Sequence, residues 1–491
     1  MIDVSPDGVS PLHPEIIRLL SPHLTYQHKQ LLRGLDAFDN VTGERQNMAF
    51  ENRHLFGIEQ GRLTTGYGFI PKIARVLTEY GHQVHYYDLS PPRQREGCYV
   101  ADWDALLRTF SEFRPRQFEC LQIIDQAQGG IINAPTGFGK TVLIAMLAIL
   151  YPHAKIHIVV KPTDVARRIV RQLSRYLPLV GQVGGGKRKL GRVTVFTADS
   201  LHLSDGDCDF LFADEGHLLM AESYARELGR AYRISRNFTF TATPEGRLDG
   251  ADARLEMFFG PQIFYMSYPE GVALGLVAPI RVRWLTIQCR FNPAANKTGT
   301  ARDRWGIWRN QERNQQIADD ARTNYPAEKQ VLILTATVDH AIHLWNCLPE
   351  YELCYGETEE NHLDEYKRSN ILPQSFLPMT AHRREALRAG FEAQQVKKVI
   401  ATDVWSTGVD FAPLQVLYRA DARESVQLDT QGPGRTSRVF GGKEYGEVVD
   451  CYDAWDKAFK RKSGIRHKHY AQHEWEQDWP VGRGRRQISH A

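Results

Sequence analysis

No two cysteines in this chain stand in a Cys-x-x-Cys spacing. The seven that exist, at 98, 120, 208, 289, 347, 354 and 451, are scattered. That excludes a zinc ribbon and a thioredoxin-type pair, and thiols in a reducing compartment are the expectation. Charge of one sign is also lacking: 61 Lys+Arg face 58 Asp+Glu, a net +3, so any basic surface must be local. Long apolar runs are missing too. The longest, Val142 to Tyr151, is about half a membrane span. The opening MIDVSPDGVSPLHPE lacks the basic start and apolar run of a signal peptide. A soluble, cytoplasmic protein that does not meet membranes is expected. No repeat with a period of about 20–50 residues is visible, which excludes a solenoid or propeller. With 42% apolar and 24% charged residues, the chain is neither disordered nor collagen-like.

The chain has 491 residues, enough for about three domains. From residue 129 short Ile/Val/Phe-rich runs alternate with helical stretches: Gly130 to Asn133, Ile156 to Val160, Val193 to Thr197, Phe210 to Phe212 and Phe238 to Phe240. A second series follows at Val331 to Leu334, Val399-Ile400, Val416 to Tyr418 and Glu447 to Cys451. Such runs read as strands of parallel sheets buried on both faces, so two α/β domains in tandem are expected. The boundaries expected are a small α+β domain over 1–112, a first α/β domain over 113–275, a polar connector over 276–325, a second α/β domain over 326–456, and a basic tail over 457–491. Residues 357–380 resemble an insertion. The tail carries 9 Lys+Arg against 3 Asp+Glu, interleaved with Trp475 and Trp479, and both a solvated tail and a nucleic-acid contact stay open for it.

Ala134-Pro135-Thr136-Gly137-Phe138-Gly139-Lys140-Thr141 lies between an expected strand and an expected helix. It fits the phosphate-loop pattern except that Ala134 replaces the first glycine. Gly137 and Gly139 let the backbone turn its N–H groups onto a phosphate, and the helix adds its positive N-terminus. Lys140 neutralises the β/γ-phosphates and the Thr141 hydroxyl ligates Mg²⁺. Asp214-Glu215-Gly216-His217 follows the next acidic-ended strand, 74 residues after Lys140. There Asp214 would hold Mg²⁺ opposite Thr141, and Glu215 would orient and deprotonate an attacking water. Thr241-Ala242-Thr243-Pro244 closes the following strand and would link the nucleotide site to a substrate groove.

In this order the motifs resemble those of the superfamily 2 helicases, over about residues 113–456. The resemblance implies two RecA-like parallel-sheet domains, ATP with Mg²⁺, and a nucleic-acid partner. It makes Lys140, Asp214, Glu215, His217, Arg435 and Arg438 the catalytic set. Arg116 and Gln117 resemble the adenine-reading pair. Lys161, Thr197, Thr335, Thr402 and Trp405 fall where the family touches the nucleic-acid backbone. Ala401 to Asp410 resembles the fifth motif, with Gly408 and Asp410 at the nucleotide. Gln431 to Arg438 matches the sixth motif, whose arginines would act as a finger across an interdomain cleft. Arg309 to Ile317 resembles the opening of the second domain in UvsW-type phage helicases and their XPB- and RecG-like relatives.

The resemblance implies an ATP-dependent DNA helicase or translocase, moving 3′→5′ on single-stranded, forked or branched DNA, in recombination, repair or replication and with other proteins of those processes. A duplex translocase of a restriction or defence complex, an RNA helicase, and an ATP-gated clamp with little turnover stay open. Residues 1–112 carry Arg53, His54, Arg62, Tyr67, Lys72 and Arg75, a mixture suited to a DNA branch point or, equally, to a packing domain.

Overall fold

The computed structural model describes the chain except for residues 6–7, 32–47, 87–97, 136, 221, 232–235, 242–251, 357–359, 406–410 and 481–491. The chain divides into two compact units, Met1–Ser267 and Tyr268–Ala491.

The centre of the first unit is an eight-stranded sheet. Its strands run in the order Lys187–Lys189, Val180–Gly184, Val193–Thr197, Ile156–Val160, Phe210–Asp214, Arg236–Thr241, Gly129–Asn133 and Gln262–Tyr265. All pair in parallel except the edge strand Lys187–Lys189. The inner strands are buried along their length, as a sheet covered on both faces requires. Phe210, Phe212, Phe238 and Phe240 stack across it, with centroids 5.6 to 6.5 Å apart.

A smaller sheet in the same unit runs Phe56–Glu59, Arg62–Thr65, Gly8–Ser10, Ile2–Ser5 and Val84–Tyr86. It packs on helix Ile70–Glu79, whose Ile73, Val76 and Leu77 are buried at helical spacing. This part lies closely against helix Asp252–Phe259. A Cβ on Gly66 would stand 2.2 Å from Met257 Cγ, and one on Gly68 2.0 Å from the Glu256 carbonyl oxygen. Lys72, one of the basic groups suited to a branch point, instead pairs with Glu256 at 2.9 Å. His54 Nδ1 bonds the Thr25 hydroxyl at 2.8 Å. Arg62 and Arg75 are exposed.

The second unit holds a seven-stranded, all-parallel sheet. Its order is Glu352–Cys354, Lys398–Ala401, Val331–Leu334, Val416–Arg419, Gly446–Asp453, Ile280–Ile287 and Glu476–Gln477. Two expectations differ here. The polar stretch 276–325 supplies an eight-residue strand, Ile280–Ile287, whose alternating burial was masked by its arginines. Over residues 457–480 the basic stretch is not a free tail. It forms helix Lys457–Gln472 and the edge strand Glu476–Gln477, with Phe459, Tyr470 and Trp475 buried. Among the described residues no helix is long and apolar enough to cross a membrane.

Candidate nucleotide site in the first unit

The phosphate loop leaves strand Gly129–Asn133 and enters helix Lys140–Leu150. Gly137 has φ 109° and Gly139 φ 90°, a region that penalises any Cβ. At Gly139 a Cβ would also stand 2.4 Å from Gln117 Nε2. The loop is tied from three sides. The Ala134 N–H donates to the Thr241 carbonyl at 3.1 Å. Gln117 Nε2 donates to the Phe138 carbonyl at 2.7 Å, and Gln117 Oε1 accepts from the Arg114 N–H at 3.0 Å. Arg114 Nη1 donates to the Gly137 carbonyl. Phe138 is wholly buried, with its ring 5.3 Å from Phe264. An aromatic there anchors the loop in the core, which accounts for its place in the motif.

Helix Lys140–Leu150 has its first turn at the loop and its far end closed by Arg192. That guanidinium donates to the carbonyls of Ala148, Tyr151 and Ala154 at 2.9, 3.1 and 3.0 Å. A cation at the C-terminus complements the helix dipole and leaves the N-terminus as the anion-binding end.

Asp214 ends strand Phe210–Asp214, and Glu215 follows with φ 52°. Burial raises the Asp214 carboxyl above its ordinary value, helped by Glu215, while Lys140, Arg168 and His217 oppose the rise. Glu215 is held by its neighbours: its Oε2 accepts from the Thr241 hydroxyl at 3.3 Å and lies 3.4 Å from His217 Nδ1. His217 Nδ1 in turn lies 3.1 Å from Thr241 Oγ1. Thr241, the first residue of the Thr-Ala-Thr-Pro motif, thus meets the acidic motif directly. Gly216 is required by packing, since a Cβ there would stand 2.2 Å from Thr239 Oγ1. Thr239 bonds the Gly216 N–H and the Ala213 carbonyl, both at 3.1 Å.

The loop, Lys140, Asp214, Glu215, His217 and Thr241 are therefore gathered at the carboxyl edge of one parallel sheet, where α/β folds bind ligands. Thr141 sits in the first turn of the same helix. Arg116, expected at the adenine, is held by protein groups. It pairs with Glu119 at 2.7 Å, donates to the Tyr265 carbonyl at 3.1 Å, and lies 4.8 Å from the Phe264 ring centroid. Gln117 is buried and its amide is used on the loop. Sequence reading passed over Arg114, Arg168, Arg192 and Thr239. The only signal for Arg114 is its place two residues before Arg116-Gln117.

The residues expected along a nucleic-acid strand divide sharply. Lys161 is exposed at the end of its strand. Thr197, Thr335 and Thr402 are buried, and the first two donate to Ser200 Oγ at 3.0 Å and the Ala401 carbonyl at 3.2 Å. Trp405 is 1% exposed and packs on Phe391 and Phe411, so it is a core side chain here and not a stacking surface. Arg435 is buried and donates to the Trp405 carbonyl, whereas Arg438 is partly exposed. Thr136, Ala242 to Pro244, Gly408 and Asp410 lie outside the described residues.

Residues 103–246 match the family model described as type III restriction enzyme, res subunit. No curated protein sequence matches the chain. Among solved structures, Saccharomyces cerevisiae Dbp5 bound to RNA and ADP BeF3 is 14% identical, with a TM-score of 0.52, over 76% of this chain and 93% of that one. A fragment of a putative HsdR subunit of a type I restriction enzyme from Vibrio vulnificus is 16% identical, with a TM-score of 0.51, over 86% and 74%. T4 UvsW overlaps 97% of this chain and 98% of its own at 16% identity, with a TM-score of 0.41. With its phosphate loop inside the matched region and two largely parallel sheets in tandem, the chain has the tandem RecA-like fold that it shares with these solved helicase structures.

Proposed function

We infer that the chain is an ATP- and Mg²⁺-dependent DNA helicase or translocase of the DExH type. It would act 3′→5′ on single-stranded, forked or branched DNA in recombination, repair or replication. The observation that carries this reading is the shared sheet edge of the phosphate loop, Asp214 and the Glu215–His217–Thr241 triangle.

The residues fit the nucleotide and its metal. Two positive-φ glycines and a helix start suit a triphosphate. A threonine hydroxyl and a carboxylate, Thr141 and Asp214, are the hard oxygen donors that Mg²⁺ takes from protein. When bound, the ion neutralises charge on phosphate oxygens. Lys140 adds a fixed cation at the β/γ-phosphates. Glu215 orients the attacking water and accepts its proton, with Thr241 and His217 holding the carboxylate in place. Arg438 of the second unit is the finger candidate, and buried Arg435 positions that turn. Lys161 is the candidate contact to the strand in the first unit.

The test is ATP hydrolysis with single-stranded DNA, duplex, fork and RNA side by side, using Glu215→Gln as the control. Stimulation by single strands and forks is expected in the wild type. The variant should bind ATP and DNA but turn over slowly. Loss of ATP binding would make Glu215 structural, and RNA stimulation exceeding DNA would reassign the substrate.

A second reading is favoured by the family matched over 103–246 and by the HsdR likeness: a duplex translocase of a restriction complex. It requires duplex to stimulate hydrolysis as well as single strands do, with displacement of a third strand but no separation of the two.

A further inference from the structure

The basic run that reads as a tail is built into the second unit, where it walls a cavity that the nucleotide site does not use. Helix Lys457–Gln472 carries six Lys or Arg and no acidic residue. Its buried positions are Phe459, Ser463, Arg466 and Tyr470, and Arg466 is neutralised by Asp450 at 2.9 Å. Lys457, Lys460, Arg461 and Gly464 fall on a different stripe, at i, i+3, i+4 and i+7. With Tyr452 and Trp479 they line a cavity of about 380 Å³. Lys457 and Lys460 are exposed and have no carboxylate partner among the described residues. Arg461 reaches Glu424 at 3.3 Å with 63% of its side chain exposed, a pair too solvated to hold it.

Gly464 is out of place by local rules. A glycine inside a helix costs ~1 kcal/mol against alanine, and close approach of another backbone is the usual reason for one. Among the described residues no such approach exists: a Cβ at 464 would meet nothing within 4 Å. What the missing side chain leaves is open space in the middle of a cationic stripe. Trp479 lines the same pocket and is packed among other rings. It stacks on His467 at 4.2 Å and 11°, and lies 4.6 Å from Trp284 and 5.0 Å from Tyr452. His467 Nδ1 is itself fixed 2.8 Å from Gln477 Oε1.

An immobilised indole, a second aromatic and three cations around a small cavity match one chemistry: an aromatic base carried on phosphates. The volume is near the lower end of small-ligand sites, roughly 300–1,000 Å³, which suits one nucleotide lying in an open pocket. We propose that this cavity is a second nucleic-acid site, holding one unpaired nucleotide of a single strand with its base over Gly464 against Trp479 and Tyr452, and its flanking phosphates on Lys457, Lys460 and Arg461. It uses none of the residues assigned to ATP hydrolysis, so it stands or falls separately from that assignment.

The full chain, without ATP, is titrated with a labelled oligothymidylate and with a strand of equal length lacking bases. Lys457→Gln combined with Lys460→Gln should weaken both strands about tenfold and make the salt slope shallower by roughly 1.4, two phosphate contacts' worth on a single strand. Gly464→Leu fills the cavity and should weaken the thymidylate strand by about tenfold while leaving the baseless strand nearly unchanged. Gly464→Ala should resist denaturation better than wild type, and hydrolysis in the absence of nucleic acid should be unchanged in every variant. The proposal is overturned if Gly464→Leu binds both strands as wild type does, or loses both equally. Free thymidine monophosphate binding as tightly as the oligonucleotide, read by a fluorescence change absent in Trp479→Phe, would assign the cavity to a mononucleotide and also overturn it.

Discussion

The two parallel sheets follow one plan and treat charge in opposite ways. In the first unit, the pairs Lys72–Glu256, Arg116–Glu119 and Lys155–Asp207 keep at least 23% of each side chain exposed. Its buried arginine, Arg236, is satisfied by backbone instead, donating to the Ile124 and Asp125 carbonyls at 2.6 and 2.9 Å where helix Gln117–Gln126 ends. In the second unit three arginines lie in the core with aspartates: Arg313 with Asp453, Arg466 with Asp450, and Arg419 with Asp421 and Asp429. Burial works against the charge of Arg313, but Asp453 outweighs it and keeps the guanidinium above its ordinary value.

The difference has a physical use. A site for a triphosphate must leave cations and N–H groups uncommitted, and in the first unit Lys140 and the phosphate loop stand at the sheet edge, away from its buried Arg236. The second unit spends buried charge on orientation. Asp429 belongs to helix Val426–Gln431, directly before the turn Pro433–Ser437 that carries Arg435. Arg419 Nη1 holds Asp429 at 3.1 Å, and His469 Nδ1 reaches its other oxygen at 2.5 Å. Contacts from Arg419 and His469 thus fix the helix that leads into the arginine turn.

The sharpest way to test this contrast is Lys140→Ala. Turnover should fall by more than ~10³ while the unfolding midpoint stays near wild type, because this half-buried lysine at the sheet edge supports ligand and not fold. A large loss of stability would erase the distinction between the units. Arg438→Ala should lower turnover by about 10³ with a much smaller change in ATP affinity, measured by single-turnover kinetics and equilibrium binding. Equal losses in both would show that the arginine merely holds structure, as its buried neighbours do.

Arg313→Met addresses the other side of the comparison. It strands Asp453 in the core and should cost about 3–5 kcal/mol in denaturant unfolding, whereas combining it with Asp453→Leu should restore most of that. If the single variant is neutral, the buried pair does not organise the second unit. The smallest effect concerns Lys398. Burial pulls its ammonium down to about 8, with Glu328 opposing. Between that pH and the ordinary lysine value the unfolded chain holds a proton that the folded chain has released, so stability rises with pH across this window. Lys398→Met should raise the melting temperature by roughly 2 °C at pH 7 and show no gain above pH 10.5. A constant gain at all pH values would mean that packing, and not charge, is the cause.

What the sequence by itself determined was whatever backbone chemistry demands locally. Gly137, Gly139 and Lys140 could be read because a phosphate loop needs positive φ and a cation at fixed spacing, and the acidic motif because it ends an apolar strand. The tandem α/β architecture followed from runs too apolar to face water. Tertiary structure alone decided the rest. Trp405 follows a motif yet lies in the core, because burial depends on Phe391 and Phe411, which pack on it only once the chain has folded. Nothing in the local sequence marks Arg313, Arg419 and Arg466 as buried, since their neutralising aspartates arrive from other elements of the fold or from buried turns. The run from Lys457 reads equally as a solvated tail or a nucleic-acid contact for the same reason: local composition records its charge, but only the folded sheet supplies the partners that turn one face of that helix inward and leave the stripe at Lys457, Lys460 and Gly464 open.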